Sequence, residues 1–356
     1  MTATYHRTFL TGQGSRAFAA TVALFVFAVA FSATVMRGQN HAEATAIDHV
    51  TMIGMVVSDM NRSIEFYSQV LTFEKISDIE LYGADYERLE GLFGIRIRVV
   101  RMRLGEEVLE LTEFLTPQGR PIPVDSRSND RWFQHIAIIT SDMDGAYKRL
   151  RENNVKHAST GPQTLPEYIK GAAGIRAFYF RDPDNHFLEV LHFPADKGDP
   201  KWHGTHGKLF LGIDHSAIVV ADTDASLRFY RDALGMRVVG VSENYGTEQE
   251  HLNNVFGARL RITGLHAPSG PGIELLEYLA PRSGRPMPQG SEVDDLWAWS
   301  TTVSEQSVST VERSLRSQRV DFVSSGVVTL DDSSLGFTRG FLVRDPDGHL
   351  MRIVQR

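Results

Sequence analysis

The sequence predicts an α+β fold made of two tandem copies of one domain, each with helices on one face of a curved sheet. Three observations lead there. Residues 47–115 are echoed by 213–279, and 132–192 by 297–355. The echo is literal: Asp48-His49 against Asp214-His215, Leu109-Glu110-Leu111 against Ile273-Glu274-Leu275, Arg181-Asp182-Pro183-Asp184 against Arg344-Asp345-Pro346-Asp347. The offset between copies stays near-constant, at 166 for His49 and His215, 164 for Glu110 and Glu274 and 163 for Asp182 and Asp345, which marks a duplication. Within each copy the order strand, helix, strands occurs twice, giving four βαβββ units.

The elements follow in order. Residues 47–57 are apolar and rich in β-formers; Ser58 or Asp59 then caps a helix to about Leu71, with Ile64, Tyr67 and Leu71 at helical spacing. The counterpart is a strand at 213–220 and a helix from about Asp222 to Leu234, closed by Gly235 as a left-handed C-terminal residue. Thr72 stands at that place in the first copy, so its turn is expected to be built differently. Ile95, Ile97 and Val99 alternate with Arg96 and Arg98 in a strand at 95–103, and a second strand covers 108–115. Pro/Gly loops follow at 116–130 and 280–295. The second unit predicts a strand at 133–140, a helix at about 141–153 and strands near 175–180 and 187–193. The expected domains are 47–193 and 209–356, joined by a linker at 194–208 whose His203 and His206 read as solvated. Pocket-shaping loops are expected at 72–94, 116–131 and 156–174.

The 356 residues are 42% hydrophobic and 23% charged, as in soluble globular proteins. A formal charge of −7 without any Lys/Arg run excludes a nucleic-acid footprint. With no cysteine, disulfides, thiolate nucleophiles and thiolate metal ligands are excluded. The first 46 residues differ from the rest. Arg16 and Arg37 bracket 20 uncharged residues rich in Ala, Val and Phe, followed by small residues suited to cleavage. This reads as an export signal, or else as a membrane anchor, since such a run just spans a bilayer. The expected location is therefore periplasmic or secreted, or tethered with exported domains.

In the first copy four strand positions carry metal-capable side chains: His49, Glu110, His135 and Glu189. Alone, a strand histidine is most often structural, and Glu113 beside Glu110 reads as solvated. His186 and His349 lie in Asp-Pro-Asp turns and read as turn residues. Trp132, Phe133, Trp297 and Trp299 read as core or cavity wall. Two imidazoles and two carboxylates together suit Zn, Ni, Co, Mn or Fe(II) with positions left open.

The motifs Ile47-Asp48-His49-Val50, Ser63-Ile64-Glu65-Phe66-Tyr67, Leu109-Glu110-Leu111, Phe133-Gln134-His135-Ile136-Ala137 and Arg181-Asp182-Pro183-Asp184-Asn185-His186 resemble the vicinal oxygen chelate superfamily of glyoxalase I, epimerases, extradiol dioxygenases and bleomycin resistance proteins. The resemblance implies that His49, Glu110, His135 and Glu189 bind one divalent metal. In the second copy His215 and Glu274 remain, but Ser300 stands opposite His135 and Arg352 opposite Glu189, so this copy is expected to be degenerate. Units in such proteins pair within a copy or across copies. Pairing within gives His49, Glu110, His135 and Glu189, the favoured expectation; pairing across gives His215, Glu274, His135 and Glu189.

The function implied is a lyase or isomerase of glyoxalase type. A small oxygenated molecule would chelate the metal, the metal would stabilise an enolate, and Glu189 or Glu110 would move the proton. Export argues against substrates linked to glutathione or coenzyme A, which are cytosolic resources. Two other readings stand beside it: an Fe(II) ring-cleaving dioxygenase using His49, His135 and Glu189, and a non-catalytic small-molecule binder. A monomer or homodimer is expected.

Overall fold

Aspartates open the helices that follow the leading strands of the first three units. Asp59 accepts from the Arg62 amide, Asp142 from Asp144 and Asp222 from Asp224 and Ala225, each satisfying a donor that a helix start leaves free. The computed structural model describes residues 47–204 and 207–355; the leader at 1–46 and His206 lie outside the described residues. No helix among the described residues is long and apolar enough to cross a membrane.

The first unit comprises β1 His49–Val56, α1 Met60–Glu65, β2 Glu74–Tyr82, α2 Ala84–Glu90, β3 Arg96–Leu104 and β4 Glu107–Thr116. The second comprises β5 Gln134–Thr140, α3 Met143–Glu152, β6 Lys156–His157, β7 Gln163–Thr164, β8 Arg176–Arg181 and β9 Phe187–His192. The third has β10 Phe210–Val220, α4 Thr223–Leu227, β11 Arg237–Tyr245, α5 Thr247–Asn253, β12 Arg259–His266 and β13 Gly272–Ala280. The fourth has β14 Trp299–Ser304, α6 Val308–Ser317, β15 Asp321–Phe322, β16 Val328–Thr329, β17 Arg339–Arg344 and β18 Leu350–Gln355. The chain is thus α+β, with the strands curled into two half-barrel sheets.

Two expectations need correction. The turn after the first helix is built the same way in both copies: Thr72 has φ 63° and Gly235 φ 74°, and the Phe73 and Met236 amides donate to Tyr67 and Tyr230 at 2.9 and 3.0 Å. Threonine there holds the left-handed conformation that glycine adopts freely. The stretch 72–94 is not a loop but β2 and α2. β2 is an edge strand exposed along most of its length, so its sequence shows no apolar alternation.

The larger correction concerns which units join. Among the described residues, one sheet runs β15-β17-β18-β14-β1-β4-β3-β2 and the other β11-β12-β13-β10-β5-β9-β8-β6. The first unit therefore shares a sheet with the fourth, and the second with the third, through the antiparallel pairs β1–β14 and β10–β5. Units of one copy meet on the helical side instead. Met60, Tyr67 and Leu71 of the first unit bury against Met143, Leu150 and Phe178 of the second. The inner sheet faces pack across copies, as Ile97 and Phe114 do with Leu342 and Val354.

The Pro/Gly loops lock this exchange. Arg120 reaches Asp295 at 2.6 Å and lies over the Trp297 ring; Arg285 reaches Asp130 at 2.6 Å and lies over Trp132. The segment 194–208 is more than a spacer: its helical turn Pro200–His203 buries Trp202, whose Nε1 donates to Asp214 at 2.7 Å. His203 Nε2 meets the Lys197 carbonyl at 2.8 Å. His186 and His349 do bond inside their turns, to Asp182 at 2.9 Å and Asp345 at 3.1 Å.

Candidate metal centre

Four adjacent strands of one sheet, in the order β13-β10-β5-β9, bring Glu274, His215, His135 and Glu189 together. Register explains the convergence. His135 faces Ala217 across β5–β10, Ala217 faces Glu274, and Ala137 faces both His215 and Glu189. Alternation along each strand then sends these side chains to one face.

The donor atoms of His135, Glu189 and His215 all lie within 4.8 Å of one another, and all three residues are buried. Glu189 Oε2 is 3.2 Å from His135 Nε2 and 3.9 Å from His215 Nε2, while Glu274 Oε2 is 3.4 Å from His215 Nε2. The contact with Glu189 lacks hydrogen-bond geometry, so neither ring nitrogen of buried His135 has a hydrogen-bond partner. A buried imidazole left unsatisfied is costly, and a metal ligand is one explanation for it.

His215 is oriented from behind. Its Nδ1 meets Asp214 Oδ2 at 2.9 Å, and Trp202 holds the other Asp214 oxygen. Nε2 is thereby presented to the carboxylates, as in carboxylate–histidine–metal arrangements. Burial disfavours charge on this ring, yet Glu274, Asp214 and Glu189 push its pKa up to about 10. Burial likewise opposes the Asp214 charge, and His215 with Trp202 holds its pKa below the usual carboxylate range. The field that protonates His215 in the absence of a metal is one that attracts a divalent cation. The donor set and the unpartnered His135 nitrogens both fit such an ion.

The centre opens into a cavity of about 300 Å³. Its lining includes the apolar Leu165, Ile175 and Leu191 and the amides of Asn244 and Gln249. Tyr179, cross-strand partner of Glu189, packs its ring 5.0 Å from that of His135. Burial, and then the nearby Glu189, raises its pKa well above normal, so the phenol keeps its proton.

The expected set of His49, Glu110, His135 and Glu189 is not assembled, because β1 and β4 belong to the other sheet. There, Gly54 faces Glu110 as Ala217 faces Glu274, and Met52 faces Thr302 as His215 faces Ala137. Met52 is therefore the structural counterpart of His215. His49 lies three residues earlier, its Nδ1 2.5 Å from Ser269 Oγ. The matching Asp-His pairs are offset by three extra residues in the first copy, which the helix caps Asp59 and Asp222 reveal at an offset of 163.

Glu110 is locked away from any substrate. Arg352 Nη1 reaches its Oε1 at 2.5 Å, and Arg101 grips Oε2 at 3.0 and 2.9 Å. Arg352 also reaches Glu90 at 3.3 Å. Burial would raise the Glu110 pKa, but the two arginines hold it low. The adjoining space is only about 20 Å³. Neither copy is thus the intact one: the centre takes His135 and Glu189 from the first and His215 and Glu274 from the second. Sequence reasoning missed Asp214, Tyr179, Asn244 and Gln249. Only Asp214 left a signal, as the acid preceding His215.

A family model described as the Glyoxalase/Bleomycin resistance protein/Dioxygenase superfamily matches residues 46–190 and 212–353. A 2-epi-5-epi-valiolone epimerase from Actinomyces sp. is 29% identical over 180 residues, covering 49% of this chain and 93% of that protein. Glyoxalase I of Saccharomyces cerevisiae is 24% identical over 198 residues, covering 53% of this chain and 57% of its own. Among solved structures, glyoxalase I from Zea mays superposes with a TM-score of 0.54 at 15% identity, covering 87% of this chain and 92% of that one. A Bacillus subtilis protein described as a putative dioxygenase gives 0.53 at 14% identity, over 88% and 85%. At these identities the two structures show the shared fold.

Proposed function

The chain belongs to the Glyoxalase/Bleomycin resistance protein/Dioxygenase superfamily, and we propose that it is a metal-dependent isomerase or lyase acting beside a carbonyl of a small oxygenated molecule. One observation carries this reading: two buried imidazoles and a carboxylate converge within 4.8 Å at the floor of a cavity, with Glu274 against one imidazole. His135, Glu189, His215 and Glu274 would hold one divalent ion. When bound, the ion would act as a Lewis acid on paired substrate oxygens.

The residues of the chain supply the rest. Glu189 lies between both histidines, the geometry of a fixed ligand. Glu274 has a side chain 33% exposed, against 6% for Glu189, so it is the carboxylate free to reach a substrate C–H. It takes the role expected of Glu110: accepting a proton next to the carbonyl and returning it to the same or a neighbouring carbon. Tyr179, held protonated, donates to a substrate oxygen. Leu165, Ile175 and Leu191 exclude water and strengthen these contacts.

Proton NMR in deuterium oxide tests the proposal without knowledge of the natural substrate. The protein loaded with Zn, Ni, Co or Mn should wash deuterium into the carbon-bound positions of dihydroxyacetone, and His215→Ala should abolish this. Exchange no faster than with free metal ion would refute it. A second reading is favoured by the same trio, since two histidines and one carboxylate also form the iron face of non-haem oxygenases. Oxygen uptake with catechol and Fe(II) would identify that chemistry.

A further inference from the structure

Resting on the metal-centre reading above, we propose that the cavity selects an uncharged polyhydroxylated aldehyde or ketone. It would reject phosphorylated or carboxylated substrates, including those carried on glutathione. The amides of Asn244 and Gln249 are the specificity determinants.

Charge is the first argument. Among the described residues no Lys or Arg lines the cavity. Glu189, Glu274 and Asp214 carry three negative charges, and a divalent ion offsets two. An anionic substrate would enter a site that is already net negative and would lose its hydration without gaining a counter-ion. Among the described residues the one buried arginine, Arg352, stands in the other sheet beside Glu110.

The polar side of the cavity is neutral and built. Ser242 Oγ donates to Asn244 Oδ1 at 2.9 Å, Asn244 Nδ2 donates to Gln249 Oε1 at 3.1 Å, and Gln249 Nε2 donates to Asn253 Oδ1. Gln249 and Asn244 are 2% and 3% exposed, so the chain fixes their orientation. Each primary amide has two N–H donors and an oxygen with two acceptor sites. The bonds named use one donor and one acceptor site of Asn244, leaving one of each for a ligand. Hydroxyl groups both donate and accept, and are the natural complement to such a shelf. Leu165, Ile175 and Leu191 add apolar lining for C–H faces. Val239 and Val241, which also line the cavity, are 54% and 60% exposed.

Saturation-transfer NMR on the full chain, with and without Co(II), tests this with four probes. Two are uncharged, dihydroxyacetone and scyllo-inosose; two are charged, dihydroxyacetone phosphate and S-lactoylglutathione. The uncharged pair should bind at least about tenfold more tightly, and Gln249→Leu should cost them about tenfold, one lost buried hydrogen bond. Val241→Lys, at an exposed position that tolerates change, should improve the phosphorylated probe relative to dihydroxyacetone. Equal or tighter binding of the charged pair, or no binding of any probe, would overturn the proposal. The Co(II) absorption band separates the two readings: its absence sinks the metal centre, whereas its presence with anions preferred sinks only the selectivity.

Discussion

Arg352 Nη1 lies 2.5 Å from Glu110 Oε1, so a guanidinium holds in one sheet the place that Glu189 holds in the other. The two sheets descend from the same pair of units, yet one neutralises its buried carboxylates with an arginine and the other sets its carboxylates against two histidines. The closed half is a buried charge cluster of Glu90, Glu110, Arg101 and Arg352. Removing one member should cost far more than removing the whole.

Arg352→Met should therefore destabilise the protein by about 3–5 kcal/mol, because Glu90 and Glu110 lose their shared cation. Adding Glu110→Met should recover part of that loss. Thermal midpoints of the two variants check this, and bound metal should be unchanged in both.

Glu110 and Glu274, aligned between the two copies, should behave differently. Glu274→Gln should slow deuterium exchange about 10²–10⁴-fold, the usual worth of a positioned proton carrier. Glu110→Gln should lower stability and leave the exchange rate per folded molecule within about twofold. Exchange rates normalised to metal content distinguish them.

Proton release on metal binding should report His215. Without metal its pKa is raised to about 10, from an ordinary 6.5. A raised folded pKa contributes stability that is complete below about 6.5 and fades as pH climbs through about 10. A metal needs the neutral ring, so uptake at pH 8 should expel about one proton from it and tighten as pH rises. Titration calorimetry in buffers of different ionisation enthalpy counts the proton; a count of zero would show that His215 is not a ligand.

Thr72 gives a test outside the site. Its φ of 63° should cost about 1–2 kcal/mol relative to glycine. Thr72→Gly should raise the thermal midpoint, and Gly235→Thr should lower it by a similar amount.

Much of this was legible in the sequence. The duplication, the four units and the helix starts near Asp59 and Asp222 follow from literal repeats and capping residues. His135 and Glu189 belong to the centre under either pairing. The partners were not legible, because strand pairing between units depends on which inner faces match. Ile97 and Leu342 carry no mark of belonging together. The identical Asp-His pairs actively misled: Met52, not His49, occupies the position of His215, and the three-residue excess in β1 shows in the sequence only as a change of offset from 166 at the Asp-His pairs to 163 at Asp59 and Asp222. Asn244 and Gln249 were silent because an edge strand and a short helix place them.

Metal stoichiometry of three proteins tests the central claim most directly: the parent chain, His49→Ala and His215→Ala, each measured by elemental analysis after saturation and dialysis. The account predicts one divalent ion per chain in the parent and in His49→Ala, and none in His215→Ala. Metal lost from His49→Ala and kept in His215→Ala would contradict it, placing the centre within the first copy after all.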